Sequence, residues 1–172
     1  MKNVKKLLLL CIGIGILGIF AGMYGVSKIW KRELAAIRQV SYKHLRMFKV
    51  LNIWMDLKQK GSSVGNYLYG HGYKRIAIYG MHYLGERLFL ELRDTPVEIA
   101  YGIDKNTIMI DGLTVLNSND QLETVDMIIV TAITYFDGIK QALEEKIKCP
   151  IVSLEDILYD MNNKQIEKKI VN

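Results

Sequence analysis

The sequence predicts an α/β protein: an open, mostly parallel sheet of short strands alternating with helices, preceded by one transmembrane helix and a helical neck. Three observations carry this prediction. Residues 7–26 hold no charge, residues 32–60 hold no proline or glycine, and from Lys74 onward short apolar runs alternate with helically spaced ones. The 172 residues, 50% hydrophobic and 24% charged with two prolines, exclude collagen-like and disordered chains and leave room for about one domain.

The charge is unevenly divided. Residues 1–60 hold 12 Lys and Arg against Glu33 and Asp56, a net of +10; residues 61–172 hold 11 against 16 acids, a net of −5, and the two sum to the +5 of the whole chain. A basic neck on an acidic body argues against a nucleic-acid partner and for a neck that meets an anionic lipid surface. Cys11 and Cys149 form no CxxC and have no histidine at ligand spacing, so neither a disulfide framework nor a zinc site is signalled, and both read as ordinary buried thiols of a reducing compartment.

In chain order, residues 1–6 are a short tail and residues 7–26 the span, which at about 1.5 Å per residue reaches roughly 30 Å, the hydrocarbon thickness of a bilayer. The run is longer than a signal-peptide core and no A-x-A site follows it, so it reads as an uncleaved anchor. Three lysines precede it, whereas Lys28, Lys31, Arg32, Arg38, Lys43 and Arg46 follow it. The positive-inside rule then places a single-pass protein in the cell membrane with its C-terminal domain in the cytoplasm. Gly13, Gly15 and Gly18 spell G-x-G-x-x-G, but the residues after them offer no polar helix face, so they are not read as a dinucleotide loop. Gly18 and Gly22 read as ordinary membrane-helix glycines.

Residues 27–60 form the neck. Leu34, Ile37, Leu45, Phe48, Leu51 and Met55 make an imperfect apolar stripe that Trp54 widens, and Ser41 and His44 interrupt a heptad seam. The neck therefore forms a coiled coil, packs on the body, or lies on the membrane. Gly61-Ser62-Ser63 ends it and caps a short helix over residues 64–69, and Gly70-His71-Gly72 breaks the chain again. His44 and His71 are given no chemical role.

The body covers residues 61–160. Residues 75–79 are a strand ending at Gly80, residues 84–92 a helix and residues 97–103 a second strand, together a β-α-β unit with parallel strands. Asp111-Gly112 marks a tight turn between two short apolar pieces, and residues 121–124 read as one turn of helix. Residues 127–132, the most hydrophobic run, read as a central strand buried on both faces. Residues 136–147 are an amphipathic helix, residues 150–153 a last strand, and residues 161–172 a polar tail.

Ligands of such sheets lie at the C-terminal strand ends, where the strand order reverses. The loop Gly80-Met81-His82-Tyr83-Leu84-Gly85 reads G-x-H-x-x-G: Gly80 for the turn, Gly85 for close helix packing, and a helix N-terminus for an anion. His82 replaces the glycine that lets backbone approach a pyrophosphate. It blocks or alters the pocket, donates to a phosphate, or acts as acid or base. Asp104, 24 residues after Gly80, either holds ribose hydroxyls or serves as a strand-end turn residue. Thr131, Thr134 and Tyr135 face the same crevice or cap a helix. Tyr101 and Lys105 match a Y-x-x-x-K pair that requires one helix face, and here the pair runs along a strand and its turn. No G-x-S-x-G, G-x-x-x-x-G-K-[ST] or H-E-x-x-H occurs.

The run Tyr73-Lys74-Arg75-Ile76-Ala77-Ile78-Tyr79-Gly80 with Leu84-Gly85-Glu86-Arg87-Leu88, followed by Tyr101-Gly102-Ile103-Asp104, resembles the Rossmann-like domains of bacterial surface-polysaccharide and glycan biosynthesis proteins. It is similar to the N-terminal nucleotide-sugar-binding domain of sialic-acid and bacillosamine pathway acetyltransferases, over residues 74–158. The resemblance implies a small Rossmann-like fold and a nucleotide-sugar or dinucleotide ligand held by residues 80–85 and Asp104. Two departures stand out: His82 in place of glycine, and no hexapeptide-repeat half to carry acetyl transfer.

The expected function is a membrane-anchored, cytoplasm-facing nucleotide or nucleotide-sugar binding module serving cell-envelope polysaccharide synthesis as sensor or accessory subunit. Its binding residues are Gly80, Met81, His82, Tyr83, Leu84, Gly85, Asp104 and Thr131, with no metal. Its partners are membrane lipid and a polysaccharide-synthesis enzyme or a second copy. The alternatives are a small NAD(P)- or nucleotide-sugar-dependent enzyme using His82 as acid/base, and a membrane scaffold with a vestigial pocket.

Overall fold

The computed structural model describes residues 2–106 and 109–171, and within these the side chains of residues 2–5, 7–17, 19–21, 25 and 168–171 lie outside the description. The chain divides into two units, Met1–Leu45 and Arg46–Asn172. Helix α1 (Lys2–Gln59) supplies all of the first unit's regular structure and continues into the second. In the first unit every residue from Val26 to Leu45 is exposed. Among the described residues no helix is long and apolar enough to cross a membrane; most side chains of the expected span, residues 7–26, lie outside the described residues.

The second unit begins with the last turns of α1. Val50, Trp54 and Leu57 are buried there at steps of four and three, the spacing of one helix face. Of the stripe the sequence singled out only Trp54 belongs to this face: Phe48, Leu51 and Met55 are exposed. The helix is apolar on two faces at this point, and the body covers one of them. The Glu91 carboxylate fixes the choice, accepting hydrogen bonds from Trp54 Nε1 and from the Val64 backbone N–H, both at 2.7 Å. The N–H groups of Gly61 and Ser62 then close back on the carbonyls of Lys58 and Leu57, ending α1. Helix α2 (Val64–Gly70) follows, with Ser63 accepting from the Asn66 N–H as the expected N-cap.

The sheet is built from β1 (Arg75–Tyr79), β2 (Glu98–Asp104), β3 (Val115–Asn117), β4 (Met127–Val130) and β5 (Ile151–Ser153), with α3 (Tyr83–Leu92) between β1 and β2, α4 (Phe136–Glu144) between β4 and β5, and α5 (Leu154–Val171) at the end. All four pairings are parallel, in the order β3-β2-β1-β4-β5, so the strand order reverses beside β1. The fold is thus α/β with a five-stranded parallel sheet, as the alternation of apolar runs indicates. The most hydrophobic strand, β4, is fully buried but lies next to the middle position, which β1 holds.

The two sheet faces are covered unequally. One packs against the end of α1, α2, α3 and α5 through Val50, Leu57, Leu68, Leu88, Leu92, Leu154 and Leu158. The other, bearing Ala77, Tyr79, Tyr101, Ile103, Ile128 and Val130, meets Ile139 and Leu143 of α4, the one α-helix on this face among the described residues. The connections into and out of β3 contain no helix among the described residues. Residues 121–124, expected as a helical turn, are not helical, and two of their carbonyls are held from the sheet. Arg75 Nη1 donates to Thr124 O at 2.6 Å and the Tyr101 hydroxyl to Glu123 O at 2.5 Å. The expected polar tail is likewise helical, for α5 runs on to Val171. Met161 is buried, Lys164 pairs with Asp160 one turn back at 2.8 Å, and Gln165 hydrogen-bonds Ser62.

Candidate functional site

The loop after β1 is set by two glycines whose roles match the expectation. Gly80 has a φ of +93°, a backbone conformation that side-chain-bearing residues rarely adopt. A Cβ on Gly85 would lie 2.2 Å from the Gly80 carbonyl oxygen, so only a glycine lets α3 approach the turn this closely. Around them the loop is tied down. Gly80 N–H donates to Ile103 O at 2.8 Å, Met81 N–H to Asp104 Oδ2 at 2.9 Å, and the Thr131 hydroxyl to Tyr79 O at 3.1 Å and to Gly80 O.

These ties settle several side-chain positions. Met81 is completely buried and turns into the core, where its Cγ and Sδ press on the space above Gly102. Leu84 is also a core residue. Thr131 is buried with its hydroxyl committed to the loop carbonyls. His82 is the N-cap residue of α3, with φ −88° and ψ −160°, ordinary extended backbone that any residue adopts, so the histidine in place of glycine introduces no strain. Its ring makes no capping hydrogen bond and stands exposed beside the exposed Tyr83.

A cavity of about 860 Å³ opens at the C-terminal ends of the strands. From β1 it takes Tyr79 and Gly80, from the end of β2 Asp104, Lys105 and Asn106, and from the turn after β3 Ser118 and Asn119. After β4 come Ala132, Thr134 and Tyr135, and α4 and its end add a wall that includes Asp137 and Lys146. The cavity thus spans the β1–β4 reversal on the face that α4 alone covers. Of the expected binding residues it gathers Gly80 and Asp104. Met81, His82, Tyr83, Leu84, Gly85 and Thr131 lie outside its lining, while Thr134 and Tyr135 line it.

Asp104 serves as the strand-end turn residue considered for it, and it also lines the cavity. It is 7% exposed, its Oδ2 holds Met81 and its Oδ1 accepts the Asn106 N–H at 3.0 Å, an Asx turn. A carboxylate has about four lone-pair sites, so acceptor capacity remains toward the cavity. Lys105 and Lys146 are the cations of the lining, and Asp104 and Asp137 its carboxylates. Lys146 Nζ gives one of its donors to Ser118 O at 2.6 Å. Burial pushes the Tyr79 hydroxyl above its ordinary pKa, partly offset by its hydrogen bond with Ser118.

The Y-x-x-x-K pair is taken apart. Lys105 lines the cavity, but Tyr101 is buried outside it, and burial pushes its hydroxyl up to about 12, away from what a proton-transfer residue needs. Cys149 is half-buried with its thiol pushed up by burial. A second cavity, of about 710 Å³, lies between the end of α1, α2 and α5. Its lysines are already paired, Lys60 with Asp56 and Lys164 with Asp160, and its His71 bonds Tyr67 O through Nδ1 and Lys164 through Nε2. Among the described residues no group of three His, Cys, Asp or Glu is placed to hold a metal.

The polar cavity residues that sequence reasoning missed are Tyr79, Lys105, Asn106, Ser118, Asn119, Asp137 and Lys146. The Asp104-Lys105-Asn106 turn was visible locally; the others become neighbours only through strand order. In comparisons with protein families, characterised proteins and solved structures, no significant match to the chain was found.

Proposed function

We propose that this chain is a membrane-anchored, cytoplasm-facing module with a Rossmann-like domain that binds a nucleotide or nucleotide sugar and serves cell-envelope polysaccharide synthesis as a sensor or accessory subunit. The observation that carries the reading is the cavity of about 860 Å³ at the point where the strand order reverses, the place where open parallel sheets take their ligands. Gly80, which makes the tight turn after β1, lines this cavity and supports the reading. Lys105 and Lys146 supply charge for phosphates, Asp104, Asn106 and Asn119 supply hydrogen bonds for hydroxyls, and Tyr79 and Tyr135 supply surface for a base or sugar ring.

The anchor rests on the uncharged residues 7–26 and the cations that follow them, and the polysaccharide context on the sequence resemblance. His82 stands outside the cavity lining, so no observation favours the enzyme reading built on it.

The test is thermal unfolding of the full chain in detergent micelles against nucleoside phosphates, nicotinamide dinucleotides and nucleotide sugars. A ligand at 100 times its Kd adds about 2.7 kcal/mol of stability. One ligand class is expected to raise the midpoint, and Lys105→Ala with Lys146→Ala to abolish that rise while leaving the ligand-free midpoint within the error of a surface change. A chain that responds to no class overturns the reading in favour of a scaffold with a vestigial pocket.

A further inference from the structure

We infer that residues 30–55 of α1 pair in parallel and in register with the same residues of a second copy of this chain. Trp30, Leu34, Ile37, Ser41, His44, Phe48, Leu51 and Met55 follow one another at steps of four and three without a break, the 3.5-residue period of a left-handed coiled coil. Each unit leaves its share of this seam uncovered. In the first, Trp30, Leu34 and Ile37 are 71%, 51% and 60% exposed. In the second, Phe48, Leu51 and Met55 are 67%, 36% and 60% exposed although the neighbouring face, with Val50, Trp54 and Leu57, is buried in the core. The body is therefore not the occupant of the seam.

Charge and side-chain size along the flanks fit a second copy. With Leu34 and Ile37 as a and d, Glu33 falls at g and Arg38 at e, and in a parallel pair g meets the partner's e five residues on. Glu33 is the one acid among the first 55 residues, and it falls where this pairing brings it to an arginine. The next g and e positions with this offset are Val40 and Leu45, 53% and 52% exposed. They widen the apolar contact beside Ser41 and His44, the two polar members of the seam. A pair of polar seam residues fixes register at some cost in stability, whereas on a lipid surface the same two would sit in the middle of the face meant to be apolar. The pairing stands on these residues alone; the anchor of the proposed function adds only that two copies in one bilayer are parallel.

The test is disulfide formation in the full chain, in detergent and in lipid vesicles, in a background with Cys11→Ser and Cys149→Ser. Ile37→Cys, at d, is expected to give a covalent dimer and Gln39→Cys, at f on the outer face, none. Glu33→Arg is expected to reduce the Ile37→Cys dimer, and Glu33→Arg with Arg38→Glu to restore it. Monomer at Ile37→Cys in both media, whether the helix lies free or on vesicles, overturns the pairing, as does equal dimer at both positions. Failure of the double exchange to restore the dimer overturns the parallel register. These positions lie outside the cavity, so the outcome is independent of whether nucleotides bind.

Discussion

Glu91 makes the attachment of α1 to the body measurable. Its side chain is 7% exposed, accepts from Trp54 Nε1 and Val64 N–H at 2.7 Å each, and lies 3.5 Å from Lys58 Nζ, so one carboxylate joins the end of α1, the start of α2 and α3. Glu91→Ala removes both acceptors and leaves two donors facing apolar surroundings, at about 1–3 kcal/mol each. Water reaches the partly open Lys58 side, which favours the lower half of the sum, and we expect a loss of about 3 kcal/mol. For a chain of this size that is roughly 6–12 °C in Tm. Glu91→Gln keeps one acceptor and turns an amide N–H toward the other donor, so it should lose about half as much. The assay is urea unfolding of a Trp30→Phe chain, in which the remaining tryptophan, Trp54, reports directly on the contact. A loss below about 0.5 kcal/mol with Trp54 emission unchanged would refute the claim that this carboxylate selects the buried face of α1.

Gly85→Ala tests the close approach of α3. Its Cβ would meet the Gly80 carbonyl at 2.2 Å, and the overpacking, about 1–3 kcal/mol, should outweigh the gain of up to about 1 kcal/mol in helix propensity, seen as a lower urea midpoint. Acid should weaken the body through two carboxylates. Asp126 is held below its ordinary pKa by the backbone N–H groups of Arg75 and then Lys74, and Asp160 by Lys164 and then the Tyr67 hydroxyl. A depressed carboxyl contributes stability above its unfolded pKa of about 4 and loses it as the pH falls through the lower folded value. Asp126→Asn and Asp160→Asn should therefore each flatten the fall in stability below about pH 4, measured as urea midpoints against pH, and an unchanged slope in both would sink the assignment.

What the sequence revealed was local. β1, α3 and β2 were legible because each is a short segment whose own apolar spacing names it, and Gly80 and Gly85 because a tight turn and a close helix approach leave a glycine no substitute. What it hid was decided between segments. Periodicity found an apolar stripe on α1 but could not say that Val50, Trp54 and Leu57, rather than Phe48, Leu51 and Met55, would meet the body, since Glu91 makes that choice from α3. Residues 121–124 have helix-compatible spacing, yet Arg75 and Tyr101 claim their carbonyls. The G-x-H-x-x-G reading left His82 to block or alter the pocket, donate to a phosphate, or act as acid or base, whereas in the fold Met81 turns inward and His82 stands exposed at the cap of α3, outside the cavity lining.

The unequal covering of the sheet explains why a cavity exists where it does. In a doubly wound sheet the crossovers lay helices on both faces. Here the crossover from β1 to β2 is α3, on the face that the end of α1, α2 and α5 also fill, so that face is closed. The two connections of β3 bring no helix to the opposite face among the described residues, and α4 packs there chiefly toward the β5 side. Tyr79, Asp104 and Ser118 are thereby left to line an opening beside β1, β2 and β3, with Lys105 on one side and Lys146 of the opposite wall reaching Ser118 across it. A ligand seated there would lie across three strand ends and touch α4, and would meet the α3 N-terminus only at Gly80. Contacts of this kind suit an extended ligand with separate polar groups better than a single phosphate gripped by one helix end.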